Sequence, residues 1–381
     1  MLHYIEMLEL ESHEEGGYFS LYYKSPNKII PLNSRYKNNA DEYVERNICS
    51  SIYFLLEKQA FSAWHRLKSD EIWHYYDGQS PLDIYVIDKK GKLKIYTLGN
   101  PEISENASFQ IIVQAGVWFA AEVRDKLSFA LVGCSVSPAF EYQDFELAEK
   151  YREQWVKQQP ELTNIIDKFI KPNILQSDNN NIYNQNVVQQ KKIFSAKDYI
   201  RKFKLGRNQE GGYFCLNYKS KDLIAILDSK KENNETENQQ RCAGTAMYFL
   251  LDKQDFSAWH RLKSDEIWHY YTGDSPIDIH IINQNGDLKT FTLGNPNITK
   301  GASFQIAIQA GDWIAAEVKN KLYFALIGRI TSPGLEYGDA EIANRKILIA
   351  KYPQHKSIIN RLTRITPSSS KLLSSKAAIL A

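Results

Sequence analysis

A fourteen-residue run, AWHRLKSDEIWHYY, occurs at residues 63–76 and again, letter for letter, at residues 258–271. Other motifs return at the same spacing of 195 residues, including EGGYF from Glu15 and Glu210 and LGNP from Leu98 and Leu293. A constant spacing means that no net insertion separates the two copies. The chain is therefore interpreted as a tandem duplication of one domain rather than a short-period solenoid.

The length of 381 residues is enough for two domains, each with its own core. Each copy contains about nine short segments rich in β-branched and aromatic residues, separated by Gly, Asn and Pro turn signals, and this pattern is typical of an antiparallel barrel or jelly roll. We therefore predict an all-β chain of two tandem jelly-roll barrels with short flanking helices. The predicted limits are 1–172 for the first domain with its C-terminal helices, 173–193 for a polar linker, 194–366 for the second domain with its C-terminal helices, and 367–381 for a disordered tail.

Charge and hydropathy exclude several classes of partner. The formal net charge is +2, without a basic stripe, so nucleic acid is not expected as a partner. Nothing approaches the roughly 18 consecutive apolar residues of a membrane helix, and the N-terminus lacks the basic and apolar segments of a signal peptide. The four cysteines form no CxxC pattern, which favours free thiols in a reducing cytoplasm. We expect a cytoplasmic protein.

The repeated run resembles the first cupin motif, G-x5-H-x-H-x3-4-E-x6-G. His65 and Glu71 stand at the first histidine and the glutamate, but Leu67 stands where a second histidine is usual. The second copy repeats this with His260, Leu262 and Glu266. The second cupin motif resembles the stretches around Phe119 and Ile314, which occupy its histidine position.

The order of motifs is closer to one branch, the cupin-5 family, whose members have no settled activity. EGGYF, IYFLL, S-x-W-H-R-x-x-S-D-E-x-W-H and A-G-x-W-x-x-A-E follow one another, the IYFLL position reading MYFLL in the second copy. The resemblance implies a tandem, two-domain cupin that is distantly similar to dTDP-sugar 3,5-epimerases.

Strand alternation places His65 and Glu71 on the interior face of the first barrel and His74 outside it. We therefore predict His65 and Glu71 in the first barrel, with His260 and Glu266 in the second, as catalytic pairs that converge within about 5 Å in a pocket lined by Trp73 or Trp268. Residues predicted to contact the ligand are Arg46, Trp73, Tyr75, Trp118, Arg241, Trp268, Tyr270 and Trp313. For the two arginines a surface role, and for the tryptophans a core role, explains the pattern equally well.

No cofactor is predicted, because two of the four usual metal-ligand positions are apolar in each copy. A divalent metal is left open, since His74 could supply a further ligand if the assignment of strand faces is wrong.

Three functions are compatible with the sequence. The first is an isomerase or epimerase that binds a small polar molecule, such as a sugar or sugar nucleotide, in each barrel. The second is a non-catalytic small-molecule-binding module, and the third is a metal-dependent oxygenase or decarboxylase. The expected partner is a small-molecule ligand, with the two barrels paired as an intrachain pseudo-dimer and a further oligomer left open.

Overall fold

The computed structural model describes residues 1–170, 193–227, 240–336 and 338–364. These residues form two compact units. The first contains 1–170, 193, 222–227 and 240, and the second contains 194–221 and the described residues from 241 onward. The predicted linker, apart from residue 193, and the predicted tail lie outside the described residues.

The first copy contains thirteen strands and three α-helices. The strands are β1 (Glu11–Ser12), β2 (Tyr18–Lys24), β3 (Lys28–Pro31), β4 (Arg46–Asn47), β5 (Ser50–Glu57), β6 (Phe61–Leu67), β7 (Asp70–Gly78), β8 (Leu82–Ile87), β9 (Leu93–Leu98), β10 (Gln110–Val113), β11 (Trp118–Val123), β12 (Phe129–Ser137) and β13 (Phe145–Leu147). The helices are α1 (Leu2–Met7), α2 (Arg152–Gln158) and α3 (Thr163–Lys168).

Two sheets build the first barrel. One has the order β1-β2-β5-β12-β7-β10 and the other has the order β13-β6-β11-β8-β9. The strands pair antiparallel, and neighbours in space are mostly distant in sequence, as in a jelly roll.

The second copy repeats these elements. Its helices are α4 (Ala196–Lys202), α5 (Arg345–Lys351) and α6 (Lys356–Arg361). Its strands are β14 (Gly206–Arg207), β15 (Tyr213–Lys219), β16 (Leu223–Ile226), β17 (Gln240–Cys242), β18 (Thr245–Asp252), β19 (Phe256–Arg261), β20 (Asp265–Gly273), β21 (Ile277–Ile282), β22 (Leu288–Leu293), β23 (Ala302–Ser303), β24 (Gln305–Ile308), β25 (Trp313–Val318), β26 (Phe324–Ser332) and β27 (Glu341–Ile342).

The second barrel has the sheets β14-β15-β18-β26-β20-β24 and β23-β22-β21-β25-β19-β27. Strand β16 lies in the range predicted for the second domain, but it pairs antiparallel with β3 and belongs to the first unit. These sheets confirm the predicted all-β class with short helices. The domain limits and the pairing of the two barrels remain predictions.

The C-terminal helices of the first unit cover the outer face of one sheet. Trp64 of β6 and Trp155 of α2 meet edge to face with ring centres 5.3 Å apart, and Phe169 packs against Trp64 at 5.9 Å. Alternation along β6 therefore turns Trp64 outward toward the helices and leaves His65 inside the barrel. The helices are needed to bury this apolar outer face.

Candidate functional site

The EGG motif brings a carboxyl group to the barrel interior. Gly16 and Gly17 have φ angles of 106° and 73°, and a Cβ at Gly17 would lie 2.7 Å from the carbonyl oxygen of Leu55. Only glycine tolerates this turn and this close approach. The turn lets the Ala63 amide donate to the Glu15 carbonyl oxygen at 2.7 Å, which fixes Glu15 beside β6.

His65 is buried and held at both ring nitrogens. Its Nδ1 lies 2.7 Å from the carbonyl oxygen of Ala63, an acceptor, so Nδ1 carries a hydrogen. Its Nε2 lies 3.3 Å from Glu15 Oε2. Ser62 Oγ donates to the other oxygen of Glu15 at 3.0 Å. One proton is therefore shared between the Glu15 carboxyl and His65 Nε2.

Burial decides where that proton resides. It lowers the pKa of His65 to about 3, and it raises the pKa of Glu15 well above its usual value, with the neighbouring Glu71 acting in the same direction. The arrangement thus places a carboxyl group with a raised pKa 3.3 Å from an imidazole with a lowered pKa, and both shifts favour the neutral forms. Such a pair can deliver a proton or accept one without creating an isolated buried charge.

Glu71 is the second carboxyl of the site. It is 7% exposed, and its Oε2 has no hydrogen-bond partner among the described residues. Burial raises the pKa of Glu71 to about 7, although the side chains of Trp73 and Cys134 favour its charged form. The carboxyl can consequently be protonated or ionised near neutral pH.

Aromatic rings surround these groups. The ring of Phe119 has its centre 4.0 Å from that of His65, and Phe54 and Trp73 meet edge to face at 5.7 Å. Phe145 contacts both His65, at 5.4 Å, and His13, at 5.9 Å. The walls lower the local dielectric, which strengthens any electrostatic interaction inside.

The second barrel keeps the same pair but adds a cation. His260 Nδ1 contacts the Ala258 carbonyl oxygen at 2.8 Å, and its Nε2 lies 3.1 Å from Glu210 Oε2. Arg329 donates from Nε and Nη2 to Glu266 Oε1 at 3.1 and 2.8 Å, and from Nη1 to Glu210. Burial would raise the pKa of Glu210, but Arg329 and His260 outweigh it and lower that pKa.

The predicted pairs are placed as follows. His65 and Glu71 both face the barrel interior, as do His260 and Glu266, but the carboxyl that contacts each histidine comes from the EGG motif. Strand alternation alone did not reveal that partner. Arg329 Nη2 lies 3.3 Å from His260 Nε2 and also bonds Glu266, so it bridges the predicted pair of the second barrel. His74 and His269 are fully buried.

Among the predicted ligand contacts, Trp118 and Trp313 require a correction. Trp118 packs against Trp155 at 5.6 Å, and Arg66 lies over its ring at 4.5 Å. Trp313 belongs to the matching cluster under α5 and α6, with Arg261 over its ring at 4.8 Å. Alternation along β11 and β25 turns the next residue inward instead, which is Phe119 in the first barrel. The two tryptophans are packing residues of the outer face.

Arg46 and Arg241 also require a correction. Arg46 forms a buried two-point ion pair with Asp144, at 2.6 and 2.8 Å. Arg241 pairs with Asp339 and donates to the Gly334 carbonyl oxygen at 2.7 Å. Because these guanidinium groups are already neutralised, we leave them out of the candidate ligand site.

Tyr75 and Tyr270 each lie three residues before the end of their strands. The Tyr75 hydroxyl donates to the Gly78 carbonyl oxygen at 2.8 Å, and the Tyr270 hydroxyl donates to Gly273 at the same distance. Both hydroxyls therefore close the turn that follows the strand. Trp73 and Trp268 do line the barrel interior, as the contacts of Trp73 with Phe54 and of Trp268 with Phe249 at 6.0 Å show.

The donor set does not match a metal centre. In the described ranges, no group of three or more His, Cys, Asp or Glu side chains is arranged to hold a metal ion. Leu67 and Phe119 occupy two positions where cupin motifs carry histidines, and both side chains are buried. In the second barrel the guanidinium of Arg329 already neutralises the carboxylates.

Four residues of the two barrel interiors were missed from the sequence, and each left a signal there. Glu15 and Glu210 are the glutamates of the repeated EGGYF motif. Each bonds a serine 47 residues later in the chain, Ser62 in the first copy and Ser257 in the second. Cys134 and Arg329 are equivalent positions at the spacing of 195 residues, and an arginine within the apolar strand FALIGRITS is unusual. A position-by-position comparison of the two copies would have found it.

The comparison with protein families gives one match, repeated in each copy. The family described as Cupin_5, Cupin superfamily (DUF985), matches residues 3–148 and 197–343. No curated protein matches the chain.

Solved structures are similar to one copy or to both. Protein SO0799 from Shewanella oneidensis is 28% identical, covers 45% of this chain and 99% of its own, and gives a TM-score of 0.39. The Lactobacillus farciminis oxalate decarboxylase in complex with formate is 11% identical, with coverages of 93% and 94% and a TM-score of 0.49. Bacillus subtilis oxalate decarboxylase, which has Mn(II) centres, is 12% identical, with coverages of 94% and 86% and a TM-score of 0.45.

Proposed function

The chain belongs to the Cupin_5 family (DUF985) of the cupin superfamily, and from that premise we propose that its first barrel binds a small polar molecule and catalyses a proton transfer on it, as an isomerase or epimerase does. One observation carries the proposal. Glu15 and His65, whose Oε2 and Nε2 are 3.3 Å apart, lie in one aromatic-walled interior with Glu71, whose pKa is raised to about 7. Acid–base catalysis is most efficient with groups that titrate near the working pH.

The roles follow from the proton positions. Glu15 holds a proton against His65 Nε2, and the Ala63 carbonyl oxygen fixes the imidazole through Nδ1. This pair supplies a proton to the ligand or takes one from it. Glu71 is the opposite partner: when ionised it accepts a proton, and when protonated it returns one. An isomerisation needs both an acid and a base of this kind.

The charge of the site narrows the ligand class. The groups that act on the Glu15 carboxyl include two further carboxyls, Glu71 and Glu14. A phosphate would be repelled by them. Of the two ligand classes indicated by the sequence, a sugar without phosphates therefore suits this interior better than a sugar nucleotide.

The proposal places the reaction in the first barrel alone. In the second barrel, Arg329 bonds both Glu210 and Glu266, so neither carboxylate is left to exchange protons with a ligand. The sequence predicted one ligand in each barrel, and we now propose a ligand in the first barrel only.

A deuterium-exchange screen tests this function. The protein is incubated in D2O with a panel of aldoses, ketoses, amino sugars and sugar nucleotides, and incorporation of deuterium at carbon is followed by NMR. We expect incorporation into at least one non-phosphorylated compound, and a loss of about 100-fold or more in His65→Ala and Glu71→Gln, the range associated with one acid–base group. His260→Ala is the matched control and should leave the rate unchanged.

A sugar that binds without deuterium incorporation, and whose binding is unaffected by His65→Ala, would contradict the proton-transfer function and favour a binding module.

The metal-dependent alternative has its own test. Elemental analysis of protein purified without chelators should find less than stoichiometric transition metal, and a stoichiometric metal lost in Glu71→Gln would favour an oxygenase or decarboxylase.

A further inference from the structure

The two barrels differ at one position in a way that identifies a ligand chemistry. Cys134 pairs with Trp73 across β12 and β7, and Arg329 pairs with Trp268 across β26 and β20 in the same register. The two side chains therefore start from equivalent backbone positions. In the second barrel, the arginine extends into the acid cluster that the first barrel also has.

The guanidinium of Arg329 is bound on its edges and on its faces. Its nitrogens donate to Glu266 and Glu210, as described above. Its central carbon lies 4.6 Å from the ring centre of Trp268 and 5.1 Å from that of Phe249. Two carboxylates in the plane and aromatic rings over the face are the groups that recognise a planar cation.

The first barrel retains every one of these recognition groups. Glu15 and Glu71 correspond to the two carboxylates, and Phe54 and Trp73 correspond to the two rings. The cation is absent there, because Cys134 is a short, buried thiol whose pKa is raised well above its usual value by burial and by the nearby carboxyls. The thiol is neutral and does not offset the carboxyl groups. His13, which stands where the second copy has Asn208, lies 3.6 Å from Glu15 Oε2, but burial lowers the pKa of His13 to about 4.

One atom of this cluster indicates a missing donor. Glu71 Oε2 is buried and has no hydrogen-bond partner in the part of the chain that the structure describes. In the second barrel, Glu266 Oε1 accepts two hydrogen bonds from Arg329, and Glu266 Oε2 accepts one from Trp268 Nε1 at 3.4 Å. The equivalent Trp73 Nε1 has no hydrogen-bond partner among the described residues either. A buried carboxylate oxygen without a donor costs free energy that a bound donor would recover.

We propose that the first barrel binds a small planar nitrogen cation, of the guanidinium or amidinium class, with the contacts that Arg329 makes inside the second barrel. The inference rests on the proposed function in one respect, that the first barrel binds a small polar ligand, and it adds that this ligand carries a planar cationic group. Glu71 and Glu15 bond the nitrogens, and Trp73 and Phe54 cover the faces. Arg329 is the intramolecular counterpart of that ligand.

A surface groove next to the site has a matching charge. It has a volume of about 690 Å³ and is lined by Glu14, Tyr142, Phe145, Glu146, Leu147, Glu149 and Lys150. Phe145 also contacts His65 inside the barrel. Glu146 is paired with Arg66 at 2.7 Å, so Glu14 and Glu149 against Lys150 leave a small excess of negative charge, which favours the approach of a cation over that of an anion.

The test compares a cation with a neutral molecule of the same shape. Methylguanidinium and methylurea are titrated into the full-length protein at constant ionic strength, and binding is measured by calorimetry and by tryptophan fluorescence. We expect methylguanidinium to saturate one site per chain, with a dissociation constant of about 1 mM for so small a ligand. Methylurea should bind about tenfold more weakly or not at all, because it lacks the charge.

Two reciprocal substitutions, each introducing the residue of the other copy, locate the binding site. Cys134→Arg places the guanidinium of the second barrel in the first and should abolish methylguanidinium binding, whereas Cys134→Ser, the matched control, should retain it. Arg329→Cys should create a second site, raising the stoichiometry from one to two. Methylguanidinium should also raise the melting temperature of Arg329→Cys more than that of the wild type.

The proposal is overturned if neither the wild type nor Arg329→Cys shows saturable binding of the cation, or if binding is unchanged in folded Cys134→Arg. If Cys134→Arg does not fold, the stoichiometry of methylguanidinium binding to Arg329→Cys decides the question. A requirement for transition metal in the binding would also overturn it. A further outcome separates this inference from the proposed function. If the protein exchanges deuterium into a neutral sugar, Cys134→Arg abolishes that exchange and methylguanidinium does not bind, this inference fails and the proposed function stands.

Discussion

A single side chain sets the charge of each barrel interior. Arg329 compensates Glu210 and Glu266, and the equivalent Cys134 leaves Glu15 and Glu71 without a cation of their own in the described cluster. Buried carboxyls in that situation retain protons, since protonation costs less than an isolated buried charge. The same pair of motifs therefore gives carboxyls with raised pKa values in one copy and carboxyls bonded by an arginine in the other.

This difference makes the stability of the first barrel depend on Glu71. The folded-state pKa of Glu71 is about 7, against 4.5 for an ordinary glutamate, so the folded protein holds a proton that the unfolded chain loses. The stabilisation is full below pH 4.5 and is lost as the pH rises to about 7. Glu71→Gln mimics the protonated form at every pH. We expect the variant to gain about 2 to 3 kcal/mol relative to the wild type between pH 5 and pH 8, measured by urea unfolding.

The comparison with the variant isolates Glu71 from its titrating neighbours. Glu15, His13, His65 and Cys134 face the same interior and are common to both proteins. A difference in unfolding free energy that stays constant from pH 5 to pH 8 would show that Glu71 is ionised in the folded state throughout. It would also remove Glu71 as the acid–base partner of His65.

At the scale of elements, alternation along the strands could be predicted from sequence, and contacts between distant elements could not. The pattern in β6 and β7 correctly turned His65 and Glu71 inward and Trp64 outward. The direction of Trp118 was open, because a tryptophan packs equally well into a barrel or under a covering helix. Glu15 comes from a loop on the other sheet, and only the closure of the barrel brings it to His65. No local pattern contains that information.

The helices that cover the outer face of the sheet should contribute to stability and not to ligand binding. Trp155 of α2 is 6% exposed and packs edge to face on Trp64. Trp155→Ala should lower the free energy of unfolding by about 3 to 5 kcal/mol, the range for truncation of a buried large aromatic side chain. Lys157→Ala, at an exposed position of the same helix, is the control and should change it by less than about 0.5 kcal/mol.

Ligand binding separates packing from function in this experiment. Trp155 touches the outer face of the sheet, so the folded fraction of Trp155→Ala should bind the first barrel's ligand with unchanged affinity. A stability loss below about 1 kcal/mol would mean that the helix is not needed to bury Trp64. A large change in affinity would place Trp155 in the site.

For the whole molecule, the duplication kept the fourteen-residue run identical in both copies, whereas the position occupied by Cys134 and Arg329 diverged. None of the described helices is long and apolar enough to cross a membrane. The family and the two jelly-roll barrels follow from the repeated motifs. The proposed division of roles between the barrels rests on Cys134 and Arg329, which stand among apolar strand residues.

The two units should therefore respond differently to pH. Above pH 6.5, burial keeps His65 and His13 neutral in the folded state, and histidines in the unfolded chain are mostly neutral as well. The raised pKa of Glu71 then lowers the stability of the first unit by about 1 kcal/mol between pH 6.5 and pH 8, and the raised pKa of Glu15 adds to that loss. The lowered pKa of Glu210 keeps that carboxylate ionised throughout this range, so the stability of the second unit should not change.

Hydrogen exchange measured by mass spectrometry, corrected for the intrinsic rates, reports each unit separately in the intact chain. Cys134→Arg should remove the pH dependence of the first unit, and an equal loss of protection in both units would show that the arginine does not determine it.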